Sequence, residues 1–240
     1  MLPSELKGVT MSNQTWRMLP VAALAGSLLL TGCAPSAPEP APSATAEKSP
    51  VAETPAPAQG SGNMPDWAAG SVGVGELIGS AKTASWKINA FQVGTGVTSD
   101  DSMFVDPDTD ENVLPAGSDV VFVNFEYTNI SDMAIDVGLS FATPDLRSVN
   151  WKWATGQPGE YKSDAFVAQG VTAELVKLEA TKDTQVFSVE PGQTIARAVS
   201  IAYEPGVAAQ ARSLRLTPVD AEGKLLHDLA EETDVQVTIK

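Results

Sequence analysis

The stretch "DVVFVNFEYTNI", residues 119–130, constrains the fold more than any other part of the chain. In an extended strand successive side chains point to opposite faces. Val121, Val123, Phe125 and Tyr127 then share one face, and Val120 and Phe122 add apolar surface to the other. β-branched and aromatic residues dominate the run, as suits a pleated, buried surface. Shorter runs of similar character surround it. In "SWKINAFQV", Trp86, Ile88 and Ala90 alternate before the pattern slips to Phe91 and Val93, which predicts a strand with a bulge. "MAIDV", "DLRSVNWKW", "TQVFSV", "TIARAVSIAY", "RSLRLTPV" and "VQVTIK" follow. Turn signals separate them: Pro115 with Gly117, Asn129 to Asp132, Gly156 to Gly159, Pro191-Gly192, Pro205-Gly206 and Glu222-Gly223. Seven to nine short strands with regular turns predict an all-β chain folded as an antiparallel β-sandwich over residues 81–240. "LLHDLAEE" reads as a short helix before the last strand, and "ELVKLEA" as either a helical turn or a strand.

Two longer stretches carry a resemblance. "AGSDVVFVNFEYTNISDMAIDV" and, much later, "VEPGQTIARAVSIAYEPG" are similar to the immunoglobulin-like, telokin-like domain of many bacterial lipoproteins. Val121 to Asp132 match its alternating strand and closing turn; Pro191 to Tyr203 match its later turn and strand. The resemblance spans most of residues 84–240 and implies an immunoglobulin-like β-sandwich. It brings no catalytic residues with it. The insert from Trp151 to Val176 departs from a minimal domain of this kind.

The N-terminal third reads differently. Residues 1–32 have the form of a signal segment. Arg17 supplies positive charge, and the apolar run "MLPVAALAGSLLL" covers Met18 to Leu30. A permanent span needs roughly 20 apolar residues, so this run is too short for one. "MSNQTWR" from Met11 makes a more ordinary start than the longer version. The segment ends in Leu30-Thr31-Gly32-Cys33, which resembles the bacterial lipobox. That resemblance implies a diacylglycerol on the Cys33 thiol and cleavage between Gly32 and Cys33. Cys33 is the sole cysteine, so it has no partner for an internal disulfide. Acylation of this kind anchors a protein without a spanning helix. The expected location is the extracytoplasmic face of the cell membrane.

From residue 33 to about 80 the chain is rich in Pro, Ala, Ser and Gly, with prolines at 35, 38, 40, 42, 50, 55, 57 and 65. Little apolar surface is available to offset the entropy of ordering, so a disordered tether is expected. Its upper reach is on the order of 100 Å. Trp67, near its end, is a candidate to dock on the domain.

The formal charge of -15, from 30 acidic and 15 basic residues, excludes phosphate backbones as partners. It also argues against docking on anionic lipid by basic patches. No nucleophile motif is present, and His227 is the one histidine, beside Asp228. No enzyme and no cofactor are therefore expected. In "DDSMFVDPDTDE" (residues 100–111), Asp106, Asp108 and Asp110 have the first spacings of a calcium loop. Glu111 and Gly117 then stand where glycine and a bidentate acid are needed, leaving only a looser calcium site as an alternative to a solvated acidic loop. Trp151 and Trp153 share a strand face, with Tyr161 nearby. They are candidates to stack on a cell-wall glycan or an apolar partner, against a reading as core. The expectation is a membrane-anchored, non-catalytic binding or interaction module for an envelope protein or small ligand. A divalent-metal or glycan accessory protein is the alternative.

Overall fold

The computed structural model describes residues 63–150 and 159–240. Nine strands dominate: β1 (Glu76–Lys82), β2 (Trp86–Val97), β3 (Asp119–Asn129), β4 (Ile135–Val137), β5 (Leu146–Ser148), β6 (Phe187–Val189), β7 (Thr194–Ala202), β8 (Ala208–Leu216) and β9 (Glu231–Thr238). One short helix, α1 (Ser163–Ala168), and two 3-10 turns complete the described elements. Every strand pairing among the described residues is antiparallel.

β3 lies inside a four-stranded sheet of order β1-β2-β3-β7. Its two apolar faces take different partners. Val121, Val123, Phe125 and Tyr127 are fully buried against a second layer that includes Leu214 and Leu216 of β8, Val235 and Val237 of β9, and Phe187 and Val189 of β6. Burying one such side chain stabilises the fold by about 1.5–3 kcal/mol. Phe141 joins the layers, its ring 4.9 Å from Trp86 and 5.9 Å from Tyr127. The opposite face, with Val120, Phe122, Ala198 and Ala202, is covered by Val74, Leu114, Phe166 and Val171. Phe166 of α1 meets Phe122 edge-on at 5.0 Å. The insert that sequence singled out thus roofs the outer face of the sheet with its described part. The arrangement is nearly all β and consistent with a sandwich, as the alternation and turn signals predict.

The bulge in β2 falls where the pattern slips. Its pairing with β3 shifts register between Gln92 and Gly94. "LLHDLAEE" contains a 3-10 turn at His227–Leu229 just before β9. "ELVKLEA" is neither a full strand nor a helix: Val176 forms an isolated bridge with Ala68, and a 3-10 turn starts at Ala180.

Ordered structure reaches further towards the N-terminus than composition suggests. The tether was expected to extend to residue 80, yet Ala68, Val72 and Val74 are buried and β1 begins at Glu76. The reason is backbone pairing, which composition does not register. The Ala69 amide donates to Leu175 O at 3.0 Å, Lys177 N to Trp67 O at 2.9 Å and Thr194 N to Asn63 O at 2.9 Å. Trp67 docks as anticipated: its Nε1 donates to Ser188 O at 3.1 Å, and its ring lies 5.1 Å from Phe187.

The two stretches that carried the resemblance meet at one corner. β3 ends at Asn129, beside the Pro191–Gln193 turn that opens β7. Gly192 N donates to Asn129 O at 2.8 Å, and Asn129 N donates to Gln193 O at 3.0 Å. The Asn129 side chain is fully buried. Its Nδ2 donates to Met133 O and Val189 O, both at 2.8 Å. Its Oδ1 accepts from the Ser131 amide at 3.0 Å and hydroxyl at 2.7 Å. All four of its hydrogen-bonding positions are filled.

Candidate ligand cleft

β7 is the last strand of its sheet, so one edge of its backbone needs another cover. Three segments supply it. Thr172 O accepts from Ala198 N at 2.7 Å. Gly70 and Gly159 approach so closely that a Cβ would stand 2.0 Å from Ala196 O and 2.4 Å from Ser200 O respectively. Glycine at both positions lets the N-terminal segment and the insert lie against the strand. Above this edge they leave two cavities, of about 550 Å³ and 450 Å³.

Arg197 lies in the wall of both. It pairs across β3 with Phe125, in register between Ile195 and Val199, so it belongs to the core-facing series of β7. A charged residue at such a position is half-buried and must find partners for its donors. Nη1 donates to Thr143 Oγ1 at 3.3 Å, and Nη2 to Ala173 O at 3.0 Å. Nε is buried and has no partner. Arg197 forms no ion pair among the described residues. A desolvated cation without an anion is costly, and a donor left orphaned by burial costs about 1–3 kcal/mol.

The acids around the smaller cavity are already engaged. Arg147 holds Asp145 through Nε at 2.8 Å and through Nη2. Glu160 turns its carboxylate away to the loop before β3. Ser99 donates to it from its amide at 2.7 Å and its hydroxyl at 2.6 Å, and the Tyr161 and Lys162 amides donate at 2.8 Å each. Burial pushes the Glu160 carboxyl up, but these donors outweigh it and hold it at about 2. The Glu160 carbonyl in turn accepts from Ser200 Oγ at 2.8 Å. The clamp fixes this part of the insert against β7. Tyr161, at the mouth of the same cavity, is 61% exposed, and burial of its phenol and the nearby Asp145 carboxylate push its pKa up. Phe166 and Pro144 supply apolar wall.

Of the residues sequence proposed, Tyr161 is brought to this cleft. Trp151 and Trp153 lie outside the described residues, as do Gly32 and Cys33. Asp106, Asp108 and Asp110 sit on the loop between β2 and β3. The Asp106 carboxylate caps its own turn, accepting from the Asp108 amide at 2.8 Å and the Thr109 amide at 3.3 Å. Among the described residues no group of three His, Cys, Asp or Glu side chains is placed to hold a metal ion. His227 and Asp228 are both exposed. No helix among the described residues is long and apolar enough to cross a membrane.

Sequence reasoning missed Arg197. The signal was present: a single arginine inside "TIARAVSIAY", at an odd position in step with Ile195, Val199 and Ile201. A charge on the apolar face of a strand asks for a partner that the sequence does not name. Comparison of the chain with known protein families, with curated proteins and with solved structures finds no match.

Proposed function

We propose that this chain is a lipid-anchored lipoprotein on the extracytoplasmic face of the cell membrane, carrying a non-catalytic binding module of immunoglobulin-like type. Cys33 bears the lipid after cleavage at Gly32, and the proline-rich segment holds the module off the membrane. The module binds through the cleft along β7. One observation carries the binding assignment: Arg197 keeps a cationic head with no ion pair among the described residues, in the wall of two cavities. Charged residues are seldom taken fully out of water without a partner, and the Nε end of Arg197 is buried with none. Concave, largely apolar pockets of a few hundred Å³ with few polar groups are typical small-ligand sites. The lipobox-like "LTGC" supports the anchor, and the short apolar run before it supports export.

The test is crosslinking in intact cells with mass-spectrometric readout, comparing the natural chain, Cys33→Ala and Arg197→Gln. The expected result is a crosslinked partner or ligand adduct mapping to residues 143–145, 160–166 or 172–178. It should be lost in Arg197→Gln and depleted from the membrane fraction in Cys33→Ala. Crosslinks that map elsewhere and ignore Arg197, or a Cys33→Ala chain that stays with the membrane, would remove the corresponding half of the reading.

A further inference from the structure

We propose that the smaller of the two cavities takes the carboxylate of an amphiphilic organic acid, with the Arg197 guanidinium as its anion grip and Phe166, Tyr161 and Pro144 as the wall for its apolar body. The inference rests on the binding reading above and adds the chemistry of the ligand.

The charge argument comes first. Arg197 is half-buried and has no ion pair among the described residues. The acids that border the same cavity cannot serve it, because Asp145 is held by Arg147 and Glu160 by four donors of its own neighbourhood. Glu160 keeps its charge, because its four donors are neutral, but that carboxylate is turned away to Ser99. The Arg197 guanidinium therefore has no anion in contact among the described residues, and a carboxylate supplies one with a single charge. A phosphate brings more charge, next to Asp145 and Glu160, in a chain of formal charge -15.

The geometry comes second. A guanidinium has five donor hydrogens in a planar fork. Thr143 and Ala173 each take one Nη hydrogen. That leaves one on each Nη, enough for the two-point hold that carboxylates accept. The same two contacts tie Arg197 to the 143 loop and to the insert, so the head is fixed before a ligand arrives. Little ordering is then left for the binding step.

The cavity itself sets the body of the ligand. Its volume is about 450 Å³, and its surface is mostly apolar. Phe166 is held in place by its edge-on contact with Phe122. Tyr161 stands at the mouth, 61% exposed. An aromatic or short branched acid of modest size fits this description, and a fully polar sugar does not.

The test uses the full chain in detergent, titrated by calorimetry with 4-phenylbutyrate, with its neutral amide and with inorganic phosphate. The expected result is saturable binding of the acid, at least tenfold weaker binding of the amide and no binding of phosphate. Arg197→Lys keeps the charge and loses the fork, and should weaken the acid about tenfold. Tyr161→Ala removes the side chain at the cavity mouth and should weaken it several-fold, with the melting temperature measured alongside; Lys162→Ala, at a side chain paired with Asp100 instead, should leave it unchanged. No binding of the acid, equal binding of acid and amide, tighter binding of phosphate, or indifference to both Arg197→Lys and Tyr161→Ala would each overturn the proposal. The cell crosslinking separates this from the broader reading. A partner mapped to the β7 cleft while no carboxylate binds sinks the ligand class alone, whereas crosslinks that ignore Arg197 sink the binding cleft itself.

Discussion

β7 begins at one polar group and passes another, and the two are treated in opposite ways. At its start, Asn129 is buried and every hydrogen-bonding position on its side chain is filled. Three residues into the strand, Arg197 is half-buried, has no ion pair among the described residues and has an orphaned Nε. Polar groups inside a fold are costly unless paired. The Asn129 corner meets that requirement within the chain, and its role ends with holding β3, β6 and β7 together. The Arg197 cleft does not meet it, and an anion at the Nη end is what a ligand can supply. The contrast predicts that the first group is needed for stability and the second is not.

The largest effect is expected at the corner. Asn129→Ala removes four side-chain hydrogen bonds at a fully buried corner. The loss should be about 3 kcal/mol, read as a lower urea midpoint with an unchanged slope. A loss below about 1 kcal/mol would mean that the corner is not what joins the two halves of the sandwich, and the contrast with Arg197 would lose its first term.

Next comes Glu160, the satisfied neighbour of the unsatisfied cation. Its folded pKa, about 2, lies below its usual 4.5. A depressed carboxylate contributes fully above the unfolded value, and the contribution is lost as pH falls through the folded one. The window is therefore pH 4.5 down to about 2. Discounted for solvent screening of the carboxylate, Glu160→Gln should cost about 1–2 kcal/mol at neutral pH, and the gap between it and the natural chain should close across that window. A constant gap would place the carboxylate in a different role from the clamp on Ser99.

How much of this was legible beforehand follows from the same contrast. β3 and its two faces could be read because apolar alternation survives in sequence as a periodic pattern. The bulge in β2 could be read for the same reason, since a slip at Phe91 breaks the period. β1 could not: in "ELIGSAK" Gly79 lies against the β9 backbone, where a Cβ would stand 2.3 Å from Gln236 O, and an edge strand of that kind has no apolar alternation to show. α1 and the roof over Phe122 could not be read either, because Phe166 is one residue in a polar segment. Tyr161 was singled out as an aromatic near an insert. Arg197 was not, because a charge inside a strand becomes informative only when the register says which face it occupies.

Removing the cation is the sharpest test of the comparison, although its effect on stability is small. Arg197→Met keeps the volume and the apolar stem and removes both the cationic head and the orphaned Nε. Replacing an unsatisfied buried polar group by an apolar one of similar shape is often neutral or favourable. The expected change lies between zero and a gain of about 1 kcal/mol, measured by urea unfolding. The opposite sign, a loss approaching that of Asn129→Ala, would make Arg197 a structural partner of Thr143 and Ala173 and return the cleft to the fold.

An effect of similarly small size is expected in the acidic loop, and it decides on which side of the contrast that loop falls. Asp106 has already found its partners: its Oδ1 accepts from the Asp108 and Thr109 amides, and Asp110 N donates to Asp106 O at 2.9 Å. A carboxylate occupied with its own turn behaves like Asn129 on a smaller scale. Because the loop is exposed, water replaces much of what the substitution removes. Asp106→Ala should therefore cost about 0.5–1 kcal/mol. The cost should be the same in millimolar calcium and in chelator, read as the melting temperature of both chains in each condition. A calcium-dependent rise confined to the natural chain would move Asp106 to the side of Arg197, as a charge held ready for a partner that the chain does not contain.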